Sequence, residues 1–539
     1  MRPRNFLILG AIGAGALLGG LLGDRVLATD DDQRKAFDRF ARSVDLIEQN
    51  YAEPVDTEDL VAGAIRGMLH TLDPHSNYLD PKTYRQMRDE QRGSFSGLGI
   101  VVTKKGDSLT VISPIEDTPA YRLGIRGGDV ISKIEGEATR EMSLDLAVSK
   151  LKGPKGTKVT ITMTRPGVEP FDLTITRDDI PTKSVPKPFL ISQKDGIGYL
   201  RLKSFTQTSS DEVDEAIHQL QAQGMKALLF DLRNNPGGLL DQAVKVANKF
   251  VDKGQLIVYT QGRVPDSHQR FVATAPPAGD FPLVVLVNQY SASASEIVAG
   301  AIQDHDRALI AGETTWGKGL VQSVFPLKYN AGLALTTAKY YTPSGRCIQR
   351  DYKESFEDYF DYDGDEKRLP PRDETQKHAT DLSRVVYGGG GITPDVRIPP
   401  RVPSPFEERL YRADTFFKFA VSYLSTARGE VSHQFEPDDK AMAAFKKFLG
   451  DEKVEFTEDE WKANLDQVKG HVAEYVVSNA YGLDEGTRVR IATDPQVAEA
   501  LKLFPRATEL ASLAHKKLKG GPDVSPETPA GAQAEINKQ

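Results

Sequence analysis

Three short segments of the sequence carry residue types that could together perform acyl transfer through a serine. Residues 288–296, Asn-Gln-Tyr-Ser-Ala-Ser-Ala-Ser-Glu, are rich in hydroxyl groups, and Lys318 follows them between two glycines. Residues 231–238, Asp-Leu-Arg-Asn-Asn-Pro-Gly-Gly, precede both and are expected to form a strand that ends in a turn with free backbone N–H groups. A nucleophile, a base and a cradle for negative charge are the parts that this chemistry needs.

The base is the least usual of these parts. Histidine is the common choice, but none of the nine histidines lies in a recognisable triad signature, and no G-x-S-x-G elbow occurs. His218 falls in a polar helix, and His305 is interpreted as lying at a helix-end surface. Lys318 is the stronger candidate because it follows Trp316 and precedes an apolar pair. Burial there would favour the neutral amine near pH 7.

The oxyanion donors are expected to be backbone amides. The serine-rich segment offers three hydroxyls, and spacing alone does not select among Ser291, Ser293 and Ser295. If Ser293 ends the loop after an apolar strand at 283–287, Ala294 opens the next helix. Its free N–H and the positive helix end would then point at the developing charge. Gly237 or Gly238 is the expected second donor, because a missing side chain permits close approach.

Other chemistries are disfavoured. Residues 312–318 match the first seven positions of a phosphate-binding P-loop, but the eighth is Gly319 instead of the hydroxyl residue that holds magnesium. His70 and His75 are five apart, which is not a usual metal-binding spacing, so no metal site is predicted. The single Cys347 excludes an intrachain disulfide and is interpreted as a packed thiol. A net charge of -8 without a basic stripe gives no support to nucleic-acid binding.

The elements that must position these residues follow from hydrophobic periodicity. Residues 184–400 alternate strands with helices, which predicts an α/β layer with active groups at the carboxyl ends of its strands. We predict helical regions at 30–92 and 403–519 and a polar, disordered tail at 520–539.

Residues 93–178 read as short strands with two helices and resemble a PDZ domain. The resemblance begins with Gly97-Leu98-Gly99-Ile100, a loop that would aim backbone N–H groups at a carboxylate. The strand that follows would accept a peptide as an added strand. The alternative is a small β-barrel with a glycine turn and no ligand.

The amino terminus is predicted to carry an export signal or a membrane anchor. Arg2 and Arg4 precede an uncharged run at residues 6–22, and a small-residue cleavage site falls at 26–28. The run fits both a cleaved signal peptide and a retained membrane span, within residues 1–28. Either places the body of the protein in the periplasm or cell envelope.

Three motifs in the same order resemble those of the carboxyl-terminal processing proteases, the tail-specific Ser/Lys peptidases of bacteria and chloroplasts. They are the serine run at 291–296, Gly-Lys-Gly-Leu-Val-Gln at 317–322 and the turn at 231–238. The resemblance implies an α/β peptidase core of the crotonase/Clp-like type with an inserted PDZ domain. It also implies that Ser293 is the nucleophile, Lys318 the general base and Gln322 the group that orients the lysine. Members of this family need no metal or organic cofactor.

We therefore expect a serine endopeptidase that captures C-terminal segments through its PDZ-like unit and cleaves by a Ser/Lys dyad. Its expected partners are protein substrates with free C-terminal tails, with an adaptor or activator protein and self-association as further options. One alternative is a non-catalytic PDZ adaptor on a peptidase scaffold, which the intact Ser293, Lys318 and Gln322 disfavour. Another is a thioester hydrolase of crotonase-like architecture, but no CoA site is visible. Residues 403–519 have no assigned role, and their amphipathic faces suggest dimerisation or gating.

Overall fold

The computed structural model describes residues 31–165, 167–352, 359–360, 374–426 and 431–520. The predicted export segment at 1–28 and the predicted tail beyond residue 520 lie outside these residues. Across the described part of the chain, no helix combines the length and the apolar character that a membrane span requires. The chain divides into two compact units, Met1–Tyr84 with Gln322–Thr336, and Arg85–Val321 with Thr337–Gln539.

The amino-terminal region is mostly helical. Its elements are α1 (31–50), α2 (Thr57–His70), β1 (Asn77–Leu79) and α3 (Pro81–Arg92). Asp56 caps α2 by accepting the N–H of Glu58. After α2, the carboxylate of Asp73 accepts the N–H groups of His75 and Ser76 and fixes the turn before β1.

A small antiparallel domain follows. Its elements are β2 (Ser94–Gly97), β3 (Ile100–Lys105), β4 (Ser108–Pro114), α4 (Pro119–Arg122), β5 (Val130–Ile134), β6 (Glu137–Ala138), α5 (Leu144–Leu151), β7 (Lys158–Arg165), β8 (Val168–Thr176) and β9 (Asp178–Pro181). The strand order is β3-β4-β5-β7-β8, so β3 lies at an edge. β2 pairs with β9 and closes the domain. Buried side chains of the three interior strands, including Val111 and Ile131, form its own core together with residues of α4 and α5.

The central region alternates strands and helices. It contains β10 (Phe189–Ser192), β11 (Ile197–Arg201), α6 (Ser209–Ala222), β12 (Ala227–Asp231), α7 (Leu240–Ala247), β13 (Leu256–Gln261), β14 (Gln269–Val272), β15 (Leu283–Val287), α8 (Ala294–Asp304), β16 (Leu309–Gly312), β17 (Leu320–Pro326), β18 (Gly332–Tyr341), β19 (Lys377–Ala379), β20 (Val385–Tyr387) and β21 (Val396–Arg397). One-turn 3₁₀ segments occur at Pro265–Ser267, Lys328–Asn330 and Glu374–Gln376.

A six-stranded sheet forms the centre of this region, in the order β10-β11-β12-β15-β16-β21. All neighbours from β11 to β21 are parallel, and β10 is antiparallel at the edge. Every residue of β15 is buried, because helices cover both faces of this parallel sheet. A strand in that position needs a continuous apolar run. The predicted α/β layer is therefore confirmed, and α6, α7 and α8 pack on one face of the sheet.

A second sheet contains β18. Within the first unit, the start of β18 pairs with β1, with Asn77 opposite Ala334. Within the second unit, its end pairs with β13, with Tyr259 opposite Tyr341. The side chain of Tyr340 points to the opposite face of the strand from that of Tyr341, and is buried.

The carboxyl-terminal region is helical. Its elements are α9 (Pro405–Arg412), α10 (Thr415–Thr426), α11 (Asp439–Asp451), α12 (Glu458–Ala463), α13 (Leu465–Tyr481), α14 (Leu483–Ala492), α15 (Pro495–Leu501) and α16 (Phe504–Gly520). Helices α9 to α13 surround an aromatic core, in which the Phe416 and Phe445 rings stack 5.5 Å apart. Helices α15 and α16 instead cover the second face of the six-stranded sheet.

Candidate active site

Ser293 occupies the turn between β15 and α8, and Ala294 is the first residue of the helix. The backbone of Ser293 has φ 53° and ψ -113°, which non-glycine residues rarely adopt. Strain of this kind persists only where the surroundings enforce it, and it is concentrated at functional sites. The turn places Ser293 at the amino end of α8, where unpaired N–H groups and the helix dipole favour negative charge.

The three serines of this segment differ in their surroundings. Ser291 is fully buried, and its hydroxyl donates to the carbonyl of Leu232 at 2.8 Å. Ser295 is also fully buried, and its hydroxyl donates to the carbonyl of Asn235 at 3.0 Å. Ser293 is only partly buried. Of the three, Ser293 is therefore the one that a substrate can reach.

Glu296 lies beneath both functional turns, although sequence reasoning did not single it out. Its carboxylate is completely buried. Oε2 accepts the N–H of Ser293 at 2.8 Å and the N–H of Lys318 at 2.9 Å. Oε1 accepts the N–H of Gly317 at 2.7 Å and the hydroxyl of Thr315 at 2.5 Å. The backbones of the serine and of the lysine are thus attached to the same oxygen atom.

The protonation of Glu296 is set by two opposing effects. Burial raises the pKa of Glu296 to about 7, while the four hydrogen bonds favour the ionised form and limit the rise. A protonated carboxyl group would place its own O–H among these donors. Only the ionised carboxylate therefore satisfies all four groups.

The turn at 236–238 lies directly against the serine turn. A Cβ atom on Gly237 would be 2.8 Å from the Cβ of Ser293 and 2.9 Å from the nitrogen of Ala294. Gly237 and Gly238 have φ values of 98° and 145°, which glycine adopts without strain. The N–H of Gly237 donates to Oδ1 of Asn235 at 2.9 Å, so this predicted oxyanion donor is already engaged. Among the described residues no acceptor is found for the N–H groups of Gly238 and Ala294.

Lys318 lies in the loop between β16 and β17 and is partly buried. The N–H of the next residue, Gly319, donates to Oε1 of Gln349 at 2.8 Å, which fixes the loop on its other side. Gln322 lies on β17 and is also partly buried. Gln322 belongs to the first compact unit and Lys318 to the second. The orienting role of Gln322 stays a prediction.

The two histidines considered as bases occupy other places. His305 follows the last residue of α8, whereas Ser293 precedes the first, and the helix of 11 residues is roughly 16 Å long. The prediction of a surface position for His305 is wrong, because it is buried and its ring nitrogens contact Asp381 at 2.8 Å and the carbonyl of Leu256 at 2.7 Å. His218 is exposed on α6. Among the described residues there is no cluster of side chains that could hold a metal ion.

The predicted carboxylate-binding loop connects β2 to β3 and consists of Gly97, Leu98, Gly99 and Ile100. The carbonyls of Leu98 and Gly99 accept the N–H groups of Ala120 and Ile115 at 3.0 and 2.8 Å. The loop is therefore held by the segment that leads into α4. The edge strand β3 begins immediately after it, as peptide addition to the sheet requires.

Comparison with known proteins links the chain to one family. Family models match peptidase family S41 at residues 196–354, a PDZ domain at 86–164 and the N-terminal domain of the activating protease CtpB at 24–83. A carboxy-terminal-processing protease of Bartonella bacilliformis is 44% identical over 330 residues, 60% of this chain and 75% of that protein. The carboxy-terminal processing protease CtpA of Bacillus subtilis is 35% identical over 331 residues, 61% and 70% of the two chains. A solved photosystem II D1 C-terminal processing protease is 30% identical, covers 66% of this chain and 86% of its own, and has a TM-score of 0.35.

Proposed function

Because the chain belongs to the carboxy-terminal-processing proteases of peptidase family S41 and carries a PDZ domain, we propose that it is a serine endopeptidase acting on C-terminal tails. The family resemblance predicted from the sequence is confirmed. The Ser/Lys dyad, the substrates and the location of the enzyme are parts of the proposal.

One observation carries the proposed dyad. Ser293 is held in a strained conformation at a helix start, and its N–H shares one carboxylate oxygen with the N–H of Lys318. The buried Glu296 carboxylate thus fixes the backbones of the proposed nucleophile and base relative to each other. A protein that only bound tails would have no chemical use for this arrangement, which disfavours the adaptor alternative.

The proposed reaction uses these groups in sequence. The neutral amine of Lys318 takes the proton of the Ser293 hydroxyl as its oxygen attacks the substrate carbonyl carbon. The N–H groups of Ala294 and Gly238 stabilise the oxyanion. The lysine ammonium then gives its proton to the departing amine, and the acyl-enzyme forms. Water, deprotonated by the same lysine, cleaves the ester and restores Ser293, with Gln322 orienting the lysine.

Substrate capture is assigned to the PDZ domain. The loop at 97–100 receives the terminal carboxylate, and the preceding residues of the tail add to the edge strand β3. The uncharged run at residues 6–22 supports export to the periplasm or cell envelope, where such substrates would be exported proteins.

The proposal is tested by incubating the full chain, solubilised if needed, with an unfolded reporter that ends in an apolar tail. We expect cleavage by the parent and no cleavage by Ser293→Ala or Lys318→Ala. Lys339→Ala, an exposed lysine on β18, serves as the control and should cleave normally. Cleavage that survives in Ser293→Ala would reject the nucleophile. Tail binding without any cleavage by the parent would establish the adaptor instead.

A further inference from the structure

A second buried side chain touches both the serine turn and the lysine loop. The hydroxyl of Tyr340 lies 3.0 Å from the backbone carbonyl oxygen of Ser293 and also contacts the carbonyl oxygen of Lys318. The backbone N–H of Tyr340 donates to the carbonyl of Gly319 at 2.9 Å. Tyr340 is 1% exposed and sits near the end of β18. Neither the sequence motifs nor the family resemblance assigned it a role.

The hydroxyl of Tyr340 can serve both carbonyls only in its protonated form, because a phenolate has no proton to donate. Burial raises the pKa of Tyr340 well above its ordinary value, so the group remains a donor throughout the working pH range. The hydroxyl proton is shared between the carbonyls of Ser293 and Lys318. The carbonyl of Ser293 also accepts the N–H groups of Glu296 and Ile297 at 2.8 and 3.0 Å, so the hydroxyl is an added contact that joins the serine turn to the lysine loop.

Tyr340 and Glu296 act on opposite sides of the same two residues. Glu296 holds the N–H groups of Ser293 and Lys318, and Tyr340 holds their carbonyl groups. Each residue is therefore fixed on both sides of its Cα atom. Glu296 lies on α8 and Tyr340 lies on β18. Two separate elements therefore fix the separation between the backbones of Ser293 and Lys318.

We propose that Tyr340 is a positioning residue that sets the separation of Ser293 from Lys318. The inference rests on the proposed function, since it concerns the same dyad. A lysine base must lie within hydrogen-bonding reach of the hydroxyl that it deprotonates, about 2.6–3.2 Å between heavy atoms. Its long side chain has several rotatable bonds and cannot hold this distance unless its backbone is fixed. Misplacement by about 1 Å can lower the rate about 100-fold.

The test replaces the hydroxyl alone. In Tyr340→Phe we expect kcat on the tail reporter to fall about 10- to 100-fold, while KM changes less than about twofold, because substrate contacts remain. The rate at which a fluorophosphonate labels Ser293 should fall by a similar factor. We also expect the pH–rate profile of Tyr340→Phe to differ from that of the parent, because Ser293 and Lys318 would be less closely aligned. Tyr341→Phe is the matched control, since this neighbour stacks on Tyr259 with centroids 5.1 Å apart.

The outcomes separate the two proposals. The proposed function fails if the parent does not cleave the reporter and shows no fluorophosphonate labelling that Ser293→Ala removes. This holds whatever Tyr340→Phe does. If the parent is active and folded Tyr340→Phe keeps its kcat, labelling rate and pH profile, the positioning role is rejected and the function stands. Equal losses in Tyr340→Phe and Tyr341→Phe would show only a general structural role and would also reject it. Thermal melts of both variants establish that the proteins measured are folded.

Discussion

The Glu296 carboxylate is kept at the active turns although its burial opposes the charge. Its pKa of about 7 in the folded protein lies above the ordinary value of 4.5. The group therefore favours folding below pH 4.5 and loses that contribution as the pH rises through 7. The molecule gives up stability at neutral pH in order to hold Ser293 and Lys318 with an ionised acceptor. Such a loss is typical of functional positions.

The pH dependence of activity tests this view. As the pH falls through about 7, protonation of Glu296 removes an acceptor of the N–H groups of Ser293 and Lys318, so kcat should fall. Thr315→Val removes a hydrogen bond to the ionised form and should raise the pKa of Glu296 further. The acid limb of kcat should then move to higher pH by on the order of one unit. Thr315→Ser, which keeps the hydroxyl, should resemble the parent, and an unmoved limb in Thr315→Val would contradict the assignment.

At the scale of elements, the turn after β12 and the turn after β15 form one structure. The side chain of Asn235 donates to the carbonyl of Leu202 at 2.8 Å and accepts the N–H of Gly237. The N–H of Ala292 in turn donates to the carbonyl of Asn235 at 3.0 Å. Two neighbouring parallel strands thus present their turns as a single surface at one edge of the sheet.

Two glycine substitutions separate backbone strain from crowding at this surface. Gly237 and Gly254 have similar φ values, 98° and 91°, but only Gly237 has atoms within 4 Å of its Cβ position. Gly254→Ala should lose about 1 kcal/mol of folding free energy through backbone strain. Gly237→Ala should lose more, because its methyl group would also lie within 3.0 Å of backbone atoms of residues 292 and 294. Gly237→Ala should also lower kcat about 100- to 1,000-fold, because the added methyl group displaces the oxyanion turn. Urea unfolding and reporter cleavage measure the two effects, and similar kcat values for both variants would refute this account of the turn.

The helices and strands also show which parts of the fold could be predicted from the sequence. Strands such as β15 were predictable because continuous apolar runs are local signals, and α5 because Ser143 caps an amphipathic helix. The roles of Glu296 and Tyr340 were missed because the bonds that join the serine turn to the lysine loop or to β18 span 19 to 47 positions along the chain. Glu296 had one usable signal: a glutamate three residues after a helix-starting serine. The engagement of Gly237 by Asn235 depends on turn geometry that spacing does not reveal.

At the scale of the whole molecule, helices of the region to which the sequence assigned no role cover the second face of the six-stranded sheet. Helices α15 and α16 place Val497, Ala500 and Phe504 against the sheet residues Leu229 and Leu286. Arg233 connects the start of α15 to the end of β12, with Nη1 2.8 Å from Asp494 and Nη2 2.7 Å from Asp231. Lys105 of β3 pairs with Asp414 and lies over the ring of Phe417, so the start of α10 contacts the PDZ domain.

A matched pair of substitutions on α15 tests this second layer. Ala500 is fully buried against the sheet, whereas Ala498 is exposed on the same helix. Ala500→Asp should lower the free energy of unfolding by more than about 3 kcal/mol, because it buries an unpaired charge. Ala498→Asp should change it by about 0.5 kcal/mol or less. Urea denaturation measures both, and equal stabilities would show that α15 is not part of the core.

The position of α15 and α16 also bears on how the enzyme is synthesised. The proposed nucleophile, Ser293, leaves the ribosome well before the helices at 495–520, and at typical elongation rates the interval is on the order of tens of seconds. Throughout that time the sheet lacks its second layer and Arg233 lacks its partner Asp494. We expect the nascent chain to stay inactive until those helices dock. A C-terminal processing protease is thereby prevented from cleaving its own unfinished chain.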